Sequence, residues 1–447
     1  MTNDMTRDKP SAAIMRFAIP LFIGNIFQQV YNMVDSVVVG RFVGKQALAA
    51  VGACAGAFNL MIALITGLTS GMSVVTAQYF GAKRHDMVRK TFISSTVVIL
   101  LTGVVVSIAG MLLARPLLLA LRTPIDVFDE AEAYLVILFA GTLANCLYNG
   151  ISAVLRALGD SIMPLVILVA ASLLNVVLDL MFVLVLRMDV PGVAAATVLA
   201  QLISAAVCLV YIFKKLPMLR FGFRDLKCDT AILRELVRIG FPVALSSCGV
   251  SLSVMFMQRA INDYGSTVMA GYTIGNRAEN IGMCLAFSIG MAVGTFCGQN
   301  MGAEKPDRVK QGLHVGYFLS VGYATAVAAI LIVFARPLAG IFNEDPTVLD
   351  IAVTNIRITA LFAPVLGLVF VYQNFLRSVG DVAPTVWMSV TEIAARSVLA
   401  FLFSRLFGFV GIWWVTPVGW TACAMIGYLR YRSGAWAKKF SLCGTSC

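Results

Sequence analysis

Long apolar stretches separated by short polar breaks dominate the chain, and their length fixes what they are. Residues 91–113 and 163–178 contain no Asp, Glu, Lys or Arg. A helix needs about 20 mostly apolar residues to cross a bilayer. Lipid offers no partner to unpaired backbone, which leaves helices or a closed barrel. The apolar runs are continuous and do not alternate over about ten residues as barrel strands do, so helices are predicted. Twelve begin near Ile14, Leu48, Thr91, Ala133, Met163, Gly192, Leu236, Met269, Gly312, Ile351, Pro384 and Val410. Residues 1–13 are polar and show no apolar run with a cleavage site after it. No removable signal peptide is expected, and the first helix stays as a span.

The twelve helices fall into two sixes because the chain repeats itself at an offset of about 221 residues. Arg16-Phe17-Ala18-Ile19-Pro20 meets Arg238-Ile239-Gly240-Phe241-Pro242. Ala77-Gln78-Tyr79-Phe80-Gly81-Ala82 meets Gly298-Gln299-Asn300-Met301-Gly302-Ala303. Ala114-Arg115-Pro116-Leu117 meets Ala335-Arg336-Pro337-Leu338, and Leu155-Arg156-Ala157-Leu158-Gly159-Asp160 meets Leu376-Arg377-Ser378-Val379-Gly380-Asp381. These matches sit at helix ends and loops, where apolar composition cannot create them. Six is an even number, so the second half enters from the same side as the first. The halves are then parallel repeats about an axis along the membrane normal, as in some secondary transporters. The expected organisation is a tail (1–13), a first lobe (14–213), a linker (214–235), a second lobe (236–430) and a tail (431–447). Gly67-x-x-x-Gly71 and Gly290-x-x-x-Gly294, on the second span of each half, read as close helix packing.

Composition removes the soluble alternatives. The chain is 59% hydrophobic and 13% charged, against roughly 45–50% and about 25% for soluble domains, and its mean hydropathy is +0.87. The net charge of +11 is an orientation signal and not a nucleic-acid footprint. Basic residues gather in alternate loops: Lys83, Arg84, Arg89 and Lys90; Lys214, Lys215, Arg220, Arg224, Lys227 and Arg234; Lys305, Arg308 and Lys310; Arg430, Arg432, Lys438 and Lys439. That alternation predicts a multi-pass protein of the cell (inner) membrane, with both termini cytoplasmic. The expected partners are the lipid bilayer and small organic cations, with no nucleic acid, and a monomer is expected. Most cysteines lie singly inside spans, where they pack as small apolar residues. Cys443 and Cys447 lie on a tail read as cytoplasmic, where no disulfide is expected. His85 and His314 are far from any Cys or carboxylate cluster, so no metal centre and no cofactor are expected beyond a coupling ion.

Enzyme and motor motifs are missing. Gly40-Arg41-Phe42-Val43-Gly44-Lys45-Gln46 has the wrong spacing for a phosphate loop, and there is no GxSxG or HExxH. Driving energy then comes from an ion gradient or from a partner. Ionisable groups inside spans are costly, which makes them functional candidates. The first half offers Asp35, one turn after Tyr31, and Asp179, one turn after Asn175. Their oxygen-rich, thiolate-free surroundings suit a hard cation; burial beside a second carboxylate equally suits proton carriage. The second half differs, with Arg259, Arg277 and Glu279, Arg357, and Glu392 with Arg396. Glu392 and Arg396 are spaced for an i,i+4 pair, and they are read with Arg277 and Glu279 as structural charges. Gln28, Gln29, Gln258 and Gln373 are candidates for polar lining of a substrate cleft.

Gln28-Gln29-x-Tyr31-Asn32-x-x-Asp35, followed by Val39-Gly40-Arg41, resembles the multidrug and toxic compound extrusion (MATE) family, as do Leu155–Asp160 and Gly298–Ala303 in their order. The resemblance runs from about Ile14 to Tyr431. It implies twelve helices in two lobes forming a V-shaped cleft, and a secondary antiporter that exports organic, amphiphilic cationic compounds against H⁺ or Na⁺. In one branch the cation site lies in the N-terminal lobe, and Tyr31, Asp35, Asn175 and Asp179 match it; Tyr134, Asn149 and Thr197 stand at its remaining positions. Another branch uses carboxylates on the seventh and tenth helices, where this chain has Gln258 and Gln373. The alternative function is a flippase for lipid-linked saccharide precursors, from the same wider superfamily, for which Arg259, Arg277 and Arg357 would face phosphates.

Overall fold

Where backbone must leave the helical ladder inside this chain, it does so at the same places in both halves. The computed structural model describes residues 4–121, 123–222 and 228–437, apart from the Lys45 side chain. Arg224 and Lys227 of the basic connection, and Lys438, Lys439, Cys443 and Cys447 of the tail, lie outside the described residues. Among the described residues there are helices and turns but no strands.

The first half contains α1 (Pro10–Val38), α2 (Lys45–Gly81), α3 (His85–Ala120), α4 (Phe128–Ala140), α5 (Thr142–Ala157), α6 (Ile162–Leu180) and α7 (Asp189–Lys215). The second contains α8 (Thr230–Asn262), α9 (Ser266–Gly302), α10 (Pro306–Val333), a short α11 (Ala335–Gly340), α12 (Pro346–Leu361), α13 (Ala363–Ser378), α14 (Val382–Ala394) and α15 (Ala400–Arg432). Single π turns extend α1 (Val39–Val43) and α6 (Met181–Val185) and join α14 to α15 (Ala395–Leu399).

Among the described residues, twelve crossings follow from these lengths and one further break. Seven single helices and α6 with its π turn are long and apolar enough to cross. α4 and α5 form one span bent by 47°, and α12 and α13 one bent by 51°. The run Val382–Arg432 has 51 residues, about 76 Å of helix and far beyond one bilayer. It breaks at Gly408, whose φ of 65° and ψ of −160° are not helical. Two spans therefore lie in that run, which completes six per half.

The breaks themselves repeat. Left-handed φ values occur at Gly44 and Gly265, Lys83 and Glu304, Gly159 and Gly380, and Arg187 and Gly408. The members of every pair are 221 residues apart, as are the bend positions Gly141 and Phe362. A left-handed residue commonly terminates a helix and turns the chain. Arg187 and Gly408 do this in different chemistry, so the backbone repeat outlasts the identity of the side chains.

By its own contacts the chain divides into two compact units, one of Ile23–Ala244 and one of Asp4–Phe22 with the described residues from Leu245 onward. The division falls inside α1 and α8 and not in the linker. In the first unit α2, α3, α5 and α7 pack together around Phe92, Val154, Leu155, Leu158, Cys208 and Ile212. In the second, α9, α10 and α13 pack around Phe296, Val293, Leu313, Phe375 and Leu376.

The GxxxG pairs are contact surfaces. A Cβ on Gly71 would stand 2.6 Å from the Gly240 nitrogen of α8, and one on Gly290 would stand 2.9 Å from the Phe370 carbonyl of α13. The two repeated aspartates start α6 and α14. Asp160 accepts from the Met163 N–H at 3.0 Å and the Tyr211 hydroxyl at 3.1 Å; Asp381 accepts from Arg430 Nε at 2.6 Å and Nη2 at 3.1 Å.

Two outcomes are expected. Gly71→Leu forces backbone apart and should abolish recovery of monodisperse protein by fluorescence-detected size exclusion, whereas Gly322→Leu, at a site with no atom within 4 Å, should leave it unchanged. Arg430→Ala strands the buried Asp381 carboxylate and should cost about 3 kcal/mol, measured as a fall in melting temperature that Arg430→Met with Asp381→Leu largely reverses.

Candidate functional site

Helical spacing places the Tyr31 and Asp35 side chains on one face of α1, and the Asn175 and Asp179 side chains on one face of α6. Each helix passes into a π turn just beyond its aspartate, at Val39–Val43 and Met181–Val185, and the two π turns lie against each other. π bulges of one turn are frequent at functional sites because they rotate the side chains on either side out of register.

The faces meet in one hydrogen-bonded group inside the first unit. The Asn175 carboxamide has one orientation that satisfies its surroundings: its nitrogen donates to Tyr31 Oη at 2.8 Å and to Asp179 Oδ2 at 3.1 Å, and its oxygen accepts from the Thr197 N–H of α7 at 3.1 Å. Asp35 and Asp179 lie within interaction range of each other's carboxyl groups, and Thr197 lies close to the Tyr31 hydroxyl. Asn175 and Asp179 are buried, at 2% and 0% exposure; Tyr31 and Asp35 are half-buried. Tyr134 of α4 is buried and close enough to interact electrostatically with Asp35, Tyr31 and Asp179.

This arrangement has a definite charge requirement. Oδ1 of Asp35 and Oδ1 of Asp179 are both buried and receive no N–H or O–H from the protein. Two bare carboxylates close together in a low-dielectric span repel each other. A proton on one would let it donate to the other, and a small cation between them would serve the same purpose. The carboxyl oxygens of Asp35 and Asp179 and the phenol oxygen of Tyr31 are the kind of oxygen ligand a hard cation takes, while the Asn175 carboxamide turns its nitrogen towards Tyr31 and Asp179. Among the described residues no group of three or more His, Cys, Asp and Glu could hold a metal.

The other expected residues have different surroundings. Asn149 of α5 donates back to the Asn145 carbonyl at 3.0 Å and to Asn145 Oδ1 at 2.9 Å, and makes no hydrogen bond to the Tyr31–Asp179 group. Gln28 donates to Asn32 at 3.2 Å and Gln258 to Asn262 at 2.9 Å, each along its own helix. Gln29 is exposed and Gln373 half-buried.

In the second unit Arg396 Nη2 and Glu392 Oε1 form the i,i+4 pair at 2.8 Å, with side chains 13% and 14% exposed. Arg277 and Glu279 do not pair: two positions on a helix differ by about 200°, and Glu279 lies instead in the field of Arg396. Spacing alone did not reveal three features: the π turns, the main-chain donor of Thr197, and the Tyr272–Trp413 stack at 5.5 Å.

Comparison with known proteins carries the geometry to a family. A model of the MatE family matches twice, over residues 20–181 and 242–402, once in each repeat. The probable multidrug resistance protein YoeA of Bacillus subtilis is 29% identical over 448 residues, covering 97% of this chain and 96% of that protein. The probable multidrug resistance protein NorM of Thermotoga maritima is 26% identical, covering 95% and 93%. A solved MOP-superfamily transporter from Pyrococcus furiosus superposes with a TM-score of 0.89 at 23% identity, over 97% of this chain and 98% of that one, a likeness of fold. Two family-model matches spanning most of the chain, on a duplicated twelve-span scaffold, show that the chain belongs to the MATE family of membrane transporters.

Proposed function

We propose that this transporter is a secondary antiporter that exports organic, amphiphilic cationic compounds in exchange for H⁺ or Na⁺, with the coupling ion taken up by the Asp35–Asp179 pair. The observation that carries the reading is the pair of carboxyl groups facing each other with a buried, undonated oxygen on each. Without a counter-charge the pair is doubly negative in a low-dielectric span. A proton or Na⁺ from outside relieves that repulsion. Asn175, itself held by Tyr31 and the Thr197 N–H, fixes Asp179 through the change. The two occupancy states differ in charge, and an ion moves a substrate only through a difference in affinity between states.

The names of the relatives, multidrug resistance proteins, support the substrate class. Alternation of basic loops supports placement in the inner membrane with both termini cytoplasmic. As MATE transporters have no catalytic centre, no enzymatic step is assigned.

Proteoliposomes loaded with ethidium and energised separately by a pH gradient and by a Na⁺ gradient test the proposal. One of the two gradients should drive export, and Asp35→Asn or Asp179→Asn should reduce that flux by at least 100-fold at equal protein incorporation. Parental flux in Asp35→Asn would remove the assignment. Translocation of a lipid-linked saccharide without gradient-driven dye export would favour the flippase instead. Tyr31→Phe deletes only the phenol's share of the network and should lower flux about tenfold, the cost of one buried hydrogen bond of about 1.4 kcal/mol, read in the same assay.

A further inference from the structure

Residues 4–9 are held in the second unit by more side-chain partners than a terminal tail requires. Met5 is fully buried and Thr6 is 4% exposed. The Met5 N–H donates to Gln299 Oε1 at 3.0 Å. The Met5 carbonyl accepts from Asn300 Nδ2 at 3.3 Å and from Arg308 Nη2 at 3.1 Å. The Thr6 carbonyl accepts from Lys305 Nζ at 3.0 Å, and the Asp8 carbonyl from Arg308 Nη2 at 2.5 Å. Arg308 is itself fixed by Asn300 Oδ1 at 2.9 Å and lies 5.5 Å over the Phe296 ring. Four side chains from the end of α9 and the start of α10 thus read main-chain groups, while Met5 fills an apolar seat. That is the pattern of a peptide-docking site.

The first unit repeats the device at the equivalent place. There the end of α2 and the start of α3 receive the chain that precedes α8. Arg89 Nε donates to the Arg220 carbonyl at 2.9 Å, Lys90 pairs with Asp229 at 3.7 Å, and the Tyr79 hydroxyl reaches Glu235 at 3.3 Å. Phe221 packs edge-on against Phe92 at 5.7 Å. Of the repeated stretch at 77–82 and 298–303, Gln299 and Asn300 hold the segment in the second unit and Tyr79 reaches Glu235 in the first.

We propose that the Gln299–Asn300–Lys305–Arg308 cleft is a docking site for the chain's own residues 4–9, and that this strap positions α1 for ion coupling. α1 starts at Pro10, directly after the strap, and its residues to Phe22 belong to the second unit while Asp35 belongs to the first. Asp35 lies about 38 Å along the helix from Pro10, so the docked strap sets the axial position of the helix that carries it. The inference rests on the coupling role proposed for Asp35.

The test is made in the full chain, beside Asp35→Asn. Met5→Asp places a charge in the apolar seat, and Lys305→Ala with Arg308→Gln removes donors at its rim. Each should lower gradient-driven ethidium efflux at least tenfold and raise the ion concentration giving half-maximal efflux at least threefold, at parental membrane abundance. Met5→Leu should behave as the parent. A Met5→Cys, Gln299→Cys disulfide, verified by peptide mass spectrometry, should preserve efflux, because an anchor need not release. Parental efflux and ion dependence in the rim double variant overturn the proposal, and so does a disulfide that stops transport until it is reduced. If Asp35→Asn also transports at the parental rate, the coupling assignment has failed and not the strap alone.

Discussion

Hydrocarbon supplies no hydrogen-bond partner to the backbone, and nearly every feature of this chain follows from that constraint. It forces the apolar runs into helices and makes each interruption costly. The interruptions are accordingly few and stereotyped: single left-handed residues, two bent pairs of half-helices, and π turns that lengthen the ladder without opening it. The paired left-handed residues and the bends recur in both halves, whereas the π turns do not. Arg187 and Gly408 both take a positive φ across the repeat although one carries a long side chain and the other none.

The same low dielectric explains why the halves differ where the scaffold does not require them to match. A buried charge needs a partner, and each half supplies one differently. In the second unit Glu392 answers Arg396 within one helical turn, and the pair is neutral as it stands. In the first unit two acids face each other, and the partner has to come from solution. A self-contained pair has no use for an ion gradient. An incomplete one is neutralised only as long as an ion is present, which is the property a coupling site requires.

Much of this was legible in the sequence because it rests on short-range spacing. Tyr31 with Asp35, Asn175 with Asp179 and Glu392 with Arg396 are one turn apart, and helical geometry places such pairs on one face without further information. The twelve spans and the duplication were legible because they rest on length and on motifs at helix ends. Spacing failed where the outcome depends on what lies across the helix. Asn149 finds its partner in Asn145 of its own helix, Arg277 and Glu279 point apart, and Thr197 contributes through a main-chain N–H, which no residue type announces. The unit boundaries inside α1 and α8 have the same origin, since contacts and not chain order set them.

The tail shows the limit most clearly. Met-Thr-Asn-Asp-Met-Thr reads as a polar leader, yet Met5 is as buried as any core residue. Its hydrogen bonds run from its main chain to side chains almost 300 positions away, with separations of 294, 295 and 303 residues. Local composition carries no trace of such contacts. The receiving side carries more, because Gln299 and Asn300 sit in the repeated motif at the end of α9, and Lys305 and Arg308 follow at the start of α10. A duplicated polar motif at helix ends is therefore more informative than the segment it binds. Contacts place Asp4–Phe22, the strap and the first turns of α1, with the unit that carries that motif, whereas Asp35 belongs to the other.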